Sequence, residues 1–129
     1  MIKVGSGVII KICSSFGLVR PDHQIYEKPG DSKKFKPVFS TVSKAGIVGL
    51  TKYLATCYAG TELRVNALTP GGAYNDHDVD YVQAYSARTI LGRMADKDEM
   101  NGALLFPASE ASSYFTGAKL VVDGGWTSR

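Results

Sequence analysis

Residues 37–55 read Pro37-Val38-Phe39-Ser40-Thr41-Val42-Ser43-Lys44-Ala45-Gly46-Ile47-Val48-Gly49-Leu50-Thr51-Lys52-Tyr53-Leu54-Ala55, followed by Arg64-Val65-Asn66-Ala67 and Pro70-Gly71-Gly72. Val42, Ala45, Val48, Leu50, Tyr53, Leu54 and Cys57 recur at helical spacing, which predicts a helix over residues 41–58. Gly46 and Gly49 leave narrow spots where another element can approach, and Gly60 supplies a stop. Residues 7–13 are a β-branched apolar run and read as a strand buried on both faces. Residues 63–68 read as a second buried strand, and residues 118–122 as a third, closed by Asp123-Gly124-Gly125. Between these two, residues 76–90 read as one or two short helices. Asp96 and Glu99 form a capping-box pattern that opens a helix through about Phe106, which Pro107 ends or kinks. Strands separated by helices imply parallel crossovers. The expected class is α/β, a three-layer piece of a doubly wound parallel sheet with about three strands.

A chain of 129 residues with 44% apolar content fits one domain, residues 1–129. The net charge of +3 is compatible with anionic ligands and does not argue for nucleic acid. The densest basic run, Lys28, Lys33, Lys34 and Lys36 around Phe35, lies amid the turn residues Pro29, Gly30 and Asp31 and reads as a solvated loop. Residues 20–37 as a whole read as a long surface loop. Cys13 and Cys57 make no disulfide framework, and Met1-Ile2-Lys3-Val4 runs into Gly5-Ser6-Gly7 without a secretory leader. The run Val8 to Ile10 is too short to span a membrane. A cytoplasmic protein with two reduced thiols is the expectation. His23 and His77 have no partner at ligand spacing, so no metal site is expected.

Five motifs occur in order: Ile12-Cys13-Ser14-x-x-Gly17, Ser43-Lys44-Ala45-Gly46, Arg64-Val65-Asn66-Ala67, Pro70-Gly71 and Val122-Asp123-Gly124-Gly125. Together they resemble the short-chain dehydrogenase/reductase family from about Gly7 to Trp126. The resemblance implies the C-terminal half of a Rossmann-like fold. It also implies an NAD(P)-dependent oxidoreductase acting on a hydroxyl or carbonyl substrate. In that family a tyrosine hydroxyl exchanges a proton with the substrate oxygen. A lysine one helical turn later lowers its pKa and holds the ribose, and a serine at the preceding strand end hydrogen-bonds the reacting oxygen. By resemblance, Ser14 is that serine, Lys44 that lysine, and Pro70-Gly71-Gly72 the loop contacting the nicotinamide of NAD or NADP. A strand-end hydroxyl satisfying local backbone is the structural alternative for Ser14.

The tyrosine position is Ser40, and this is the main departure. An aliphatic hydroxyl is a far weaker acid than a phenol, and its side chain is several ångströms shorter. A neighbouring charge shifts a pKa by a few units at most, so Lys44 does not repair the substitution. Tyr26 in the long loop is the alternative phenol; Tyr53 and Tyr58 lie too far along the helix and read as core or interface aromatics. The threonine often found after the Pro-Gly is replaced by Tyr74 and Asn75. Residues 73–93 correspond to the family's variable substrate-covering segment, in which Arg88 and Arg93 read as solvated charges. The long loop at 21–36 resembles a bacterial subgroup linked to modified-sugar or polysaccharide pathways.

Gly5-x-Gly7 is not a dinucleotide turn, because Ile10 holds the third glycine position and a strand follows the pair instead of preceding it. The chain therefore reads as truncated, with impaired or no activity of its own. Two other readings are carried: an oxidoreductase completed by a partner chain, and a non-catalytic structural or oligomerisation subunit. The expected partner is a second copy through helix 41–58, or a chain covering the open sheet edge.

Overall fold

The computed structural model describes residues 1, 3–28, 30 and 34–129. Ile2, the turn residues Pro29 and Asp31, and Lys33 of the basic run lie outside the described residues, as does Ser32. Three parallel strands, β1 (Ser6–Ile12), β2 (Glu62–Pro70) and β3 (Lys119–Val122), form one sheet in the order β1-β2-β3. The register runs from Ser6 opposite Glu62 to Ile12 opposite Leu68, and from Ala67 opposite Lys119 to Pro70 opposite Val122. Helix α1 (Val38–Cys57) connects β1 to β2; α2 (Val79–Ser86) and α3 (Met100–Ala108) connect β2 to β3.

Strand alternation sorts the central strand. Val65, Ala67 and Thr69 face one side and Arg64, Asn66 and Leu68 the other. Ala67 lines a space with Val48 and Thr51 of α1. Arg64 and Asn66 instead reach the segment that follows α3. The two helices therefore cover opposite faces, the three-layer arrangement of an α/β sheet.

Several boundaries differ from the sequence reading, each for a physical reason. β1 is half-exposed, with Ile12 at 45%. It is an edge strand with β2 on one side only, and its β-branched run gave no sign of that. Helix α1 starts at Val38 and not at 41, because Pro37 fits at a helix entrance and Val38 and Phe39 extend into solvent without cost to a core. α3 runs one residue past Pro107; a proline this close to the end removes little of the hydrogen-bond ladder. The Glu99 carboxylate accepts the Asp96 N–H at 2.8 Å, completing the capping box ahead of α3. The long loop is anchored: His23–Tyr26 forms a short helical turn whose Ile25 is buried.

Helix α1 carries two unlike faces. Ser40, Lys44, Ile47, Thr51 and Leu54, spaced by three or four residues, are half-buried or buried. Val38, Val42, Gly46, Gly49, Tyr53 and Cys57 share the exposed side, with Tyr53 at 66%. A Cβ added at Gly46 or Gly49 meets nothing within 4 Å. The main apolar cluster lies elsewhere, beyond the carboxyl ends of the strands. Phe16 follows β1, Tyr85 and Met94 follow β2 and Trp126 follows β3, and Ile25 joins them. Among the described residues no helix is long and apolar enough to cross a membrane, and no cluster of His, Cys, Asp or Glu could hold a metal ion. Cys13 is buried and Cys57 exposed, both as free thiols.

Candidate active site

The end of β1 and the first turns of α1 are joined at Lys44. Its Nζ donates to the Ile12 carbonyl at 2.9 Å, two residues before Ser14. The Lys44 carbonyl in turn accepts from Cys13 Sγ at 3.2 Å. Gly17 packs on the same carbonyl: a Cβ there would sit 2.7 Å from the Lys44 carbonyl carbon and 2.8 Å from its oxygen. This close approach is the physical requirement behind the glycine three residues after Ser14. The Lys44 side chain is thus anchored at the end of β1, two residues before Ser14.

Ser14 Oγ accepts the Phe16 N–H at 3.3 Å and caps the turn Ser15–Gly17. The local role expected as the structural alternative is present, and it leaves the hydroxyl proton free to donate. Ser40 lies one turn before Lys44 on the same inward face of α1. Its carbonyl accepts from Ser43 Oγ at 3.1 Å.

Tyr26 packs against Tyr81 with ring centroids 5.6 Å apart. Burial raises its pKa, and Tyr81 raises it further. That is the wrong direction for a proton donor near neutrality. Tyr53 is exposed and Tyr58 half-buried.

Pro70-Gly71-Gly72 lies at the carboxyl end of β2, where open α/β sheets bind ligands. The glycines, however, are held close by protein. A Cβ at Gly71 would lie 2.7 Å from Asp123 Cα, and one at Gly72 2.6 Å from the Tyr85 ring. Gly71 N–H donates to the Val122 carbonyl at 2.9 Å and Gly72 N–H to the Tyr85 hydroxyl at 2.5 Å. Burial raises the Tyr85 pKa while the Gly72 N–H opposes it, so the phenol stays neutral. Neither Tyr85 nor Trp126, which stack with centroids 4.5 Å apart, was singled out as part of this site from the sequence. The signal for Tyr85 was the recurrence of tyrosines at 74, 81 and 85; Trp126 had none. Asp123 caps the final turn, accepting the N–H groups of Gly125 and Thr127 at 2.9 Å each.

The two arginines read as solvated are ion-paired. Arg93 grips Glu99 through both terminal nitrogens at 2.6 and 2.7 Å. That hydrogen bond, with the Asp96 N–H, holds the Glu99 carboxyl down at about 2. Arg88 bonds Asp22, and also Gln24 at 3.0 Å. Tyr74 and Asn75 occupy the place of the absent threonine: Tyr74 N–H donates to the Ala95 carbonyl and Asn75 N–H to His77 Nδ1.

Residues 35–127 match the profile described as Enoyl-(Acyl carrier protein) reductase. The chain belongs to the short-chain dehydrogenase/reductase family. A short-chain dehydrogenase from Leptospira borgpetersenii with bound NAD+ superimposes with a TM-score of 0.86 at 35% identity, over 97% of this chain and 46% of its own. A gluconate 5-dehydrogenase from Burkholderia cenocepacia, in complex with NADP and tartrate, gives a TM-score of 0.81 at 30% identity, over 99% and 48%. The cis-4-hydroxycyclohexanecarboxylate dehydrogenase of Sinomonas cyclohexanicum is 35% identical over 98% of this chain and 47% of its own length. The short-chain dehydrogenase/reductase chain described here thus spans about half the length of the relatives it matches. Its sheet is the parallel α/β sheet of that family.

Proposed function

We propose that this chain is the substrate-side half of an NAD(P)-dependent oxidoreductase acting on a hydroxyl or carbonyl group, with little or no turnover of its own. The carrying observation is the Lys44–Ile12 bond, which ties the lysine to the end of the strand that leads into Ser14. In this reading Ser14 donates to the reacting oxygen and Lys44 holds the ribose hydroxyls of NAD or NADP. The bound nicotinamide would supply hydride exchange. The residues present fit only that end of the dinucleotide. The inner sides of Gly71 and Gly72 are filled by Asp123 and Tyr85, and among the described residues no glycine-rich turn joins a strand to a helix N-terminus for the pyrophosphate.

The test supplies a cofactor-binding half from a relative. Fused behind the first half of a related dehydrogenase, the chain is assayed on polyols and hydroxy acids by nicotinamide absorbance. Any turnover is expected to fall to background in Ser14→Ala and Lys44→Met. Turnover that survives both changes would contradict the assignment.

We further propose that the exposed face of α1 binds a second copy of this chain. Val38, Val42 and Tyr53 flank the open ground at Gly46 and Gly49, so two such faces can approach closely. Light scattering on the purified chain should give a dimer or larger species, and Val42→Glu with Tyr53→Glu a monomer. A wild-type chain that is a monodisperse, thermally robust monomer would contradict this.

A further inference from the structure

Three arginines from separate parts of the chain converge on one cleft. Arg20 follows β1, Arg88 follows α2, and Arg129 lies past β3; with Val19, Asp22 and Trp126 they line a space of about 420 Å³. Their side chains contribute three positive charges against one negative. Arg88 is fixed, donating to Asp22, to Gln24 and to the Ala84 carbonyl at 3.3 Å. Asp22 is thereby committed: burial raises its pKa, but the hydrogen bonds from Arg88 and the Gln24 N–H outweigh that and lower it. Arg129 donates once, to the Ala87 carbonyl at 2.9 Å, and keeps its other N–H groups. Arg20 is exposed, and among the described residues its guanidinium makes no hydrogen bond.

The cleft begins at Val19, five residues after Ser14. Val19 N–H bonds the Ser15 carbonyl at 3.0 Å, so the chain from Ser14 to the cleft is one compact turn. Phe16 in that turn meets Trp126 edge-on at 5.9 Å. Val19 and Trp126 offer an apolar wall beside unspent guanidinium donors, a combination that fits a short carbon chain ending in an oxyanion. Asp22 on the lining accepts from hydroxyl groups and disfavours a second negative charge.

We propose that this cleft binds the carboxylate of the substrate, which is then a monoanionic hydroxy acid or its keto counterpart. The role as a substrate subsite rests on the oxidoreductase reading; the binding of the anion does not. Trp126 is the chain's single tryptophan and borders the cleft, so its fluorescence reports occupancy without cofactor or turnover. The probes are gluconate and glucitol, which differ only in a carboxylate against a hydroxymethyl group. Gluconate is expected to give a saturable change and glucitol none. Arg20→Gln and Arg129→Gln, both at exposed positions, should each weaken gluconate at least about tenfold with unchanged circular dichroism.

Equal response to glucitol, or equal gluconate affinity in the double variant, would overturn the proposal. So would tighter binding of inorganic phosphate, which would assign the cleft to phosphate esters. A chain that binds gluconate while its fusion turns over nothing retains the anion site and loses the oxidoreductase reading. A fusion that oxidises neutral polyols while the cleft ignores gluconate does the reverse.

Discussion

In the fusion that supplies a cofactor half, Ser40→Tyr is expected to raise turnover about a thousandfold over the Ser40 form, within the usual range for a positioned proton donor. Position 40 lies one turn before Lys44, on the face of α1 that meets the sheet. A phenol there has a pKa near 10 before any help, and a lysine one turn away lowers it. The serine hydroxyl fails on acidity and on reach. Lys44 is already positioned by the Ile12 carbonyl, so the substitution needs no second change to place its partner. The measurement is kcat of the two fusions on one substrate. Equal rates would mean that another group supplies the proton. Tyr26 is a poor candidate, since burial and Tyr81 both raise its pKa.

Arg64→Met is expected to cost about 2–4 kcal/mol of folding stability, a large part of what a domain this size holds. One guanidinium closes the end of α3. Nη1 donates to the Pro107 carbonyl at 3.0 Å, to Ser112 Oγ at 2.8 Å and to the Phe115 carbonyl at 3.4 Å; Nη2 donates to the Ser109 carbonyl at 3.1 Å. The last carbonyls of a helix have no partner within it, so losing these donors strips the Pro107 carbonyl of its partner and leaves the Ser109 and Phe115 carbonyls to Ser112 and Asn66 alone. Methionine keeps the apolar stem and removes only the donors. Asn66, two residues along the same face and 0% exposed, ties the same segment down by donating to the Phe115 carbonyl at 2.6 Å and accepting the Ala118 N–H at 3.1 Å. The two changes should therefore be non-additive in urea unfolding. A loss below about 0.5 kcal/mol for Arg64→Met, within the range of neutral surface changes, would contradict this account.

The sequence carried the fold through local signals. A β-branched run marked β1, short apolar stretches marked β2 and β3, helical spacing marked α1, and Asp96 with Glu99 marked the entrance to α3. What it did not carry depends on neighbours. The half-exposure of β1 follows from its edge position, which no residue of the run encodes. The burial of Ile25 depends on Phe16, Tyr85 and Trp126 arriving from three separate segments.

The site divides the same way. Ser14 and Lys44 came from the family resemblance; what the structure adds is the contact of the Lys44 side chain with the Ile12 carbonyl and of Gly17 with the Lys44 carbonyl. The glycines at 71 and 72 were legible as a close approach, yet Asp123 and Tyr85 are what approach them. The pairing of Arg88 with Asp22, 66 residues away, had no local signature.

The central proposal is that Ser14 and Lys44 form half of a dinucleotide enzyme site that does not hold its cofactor unaided. The most direct test is calorimetric titration of the purified chain with NADH and NADPH. The account predicts no saturable binding up to millimolar cofactor. Saturable binding in the micromolar range, lost in Lys44→Met, would contradict it and show that a complete cofactor site exists in these 129 residues.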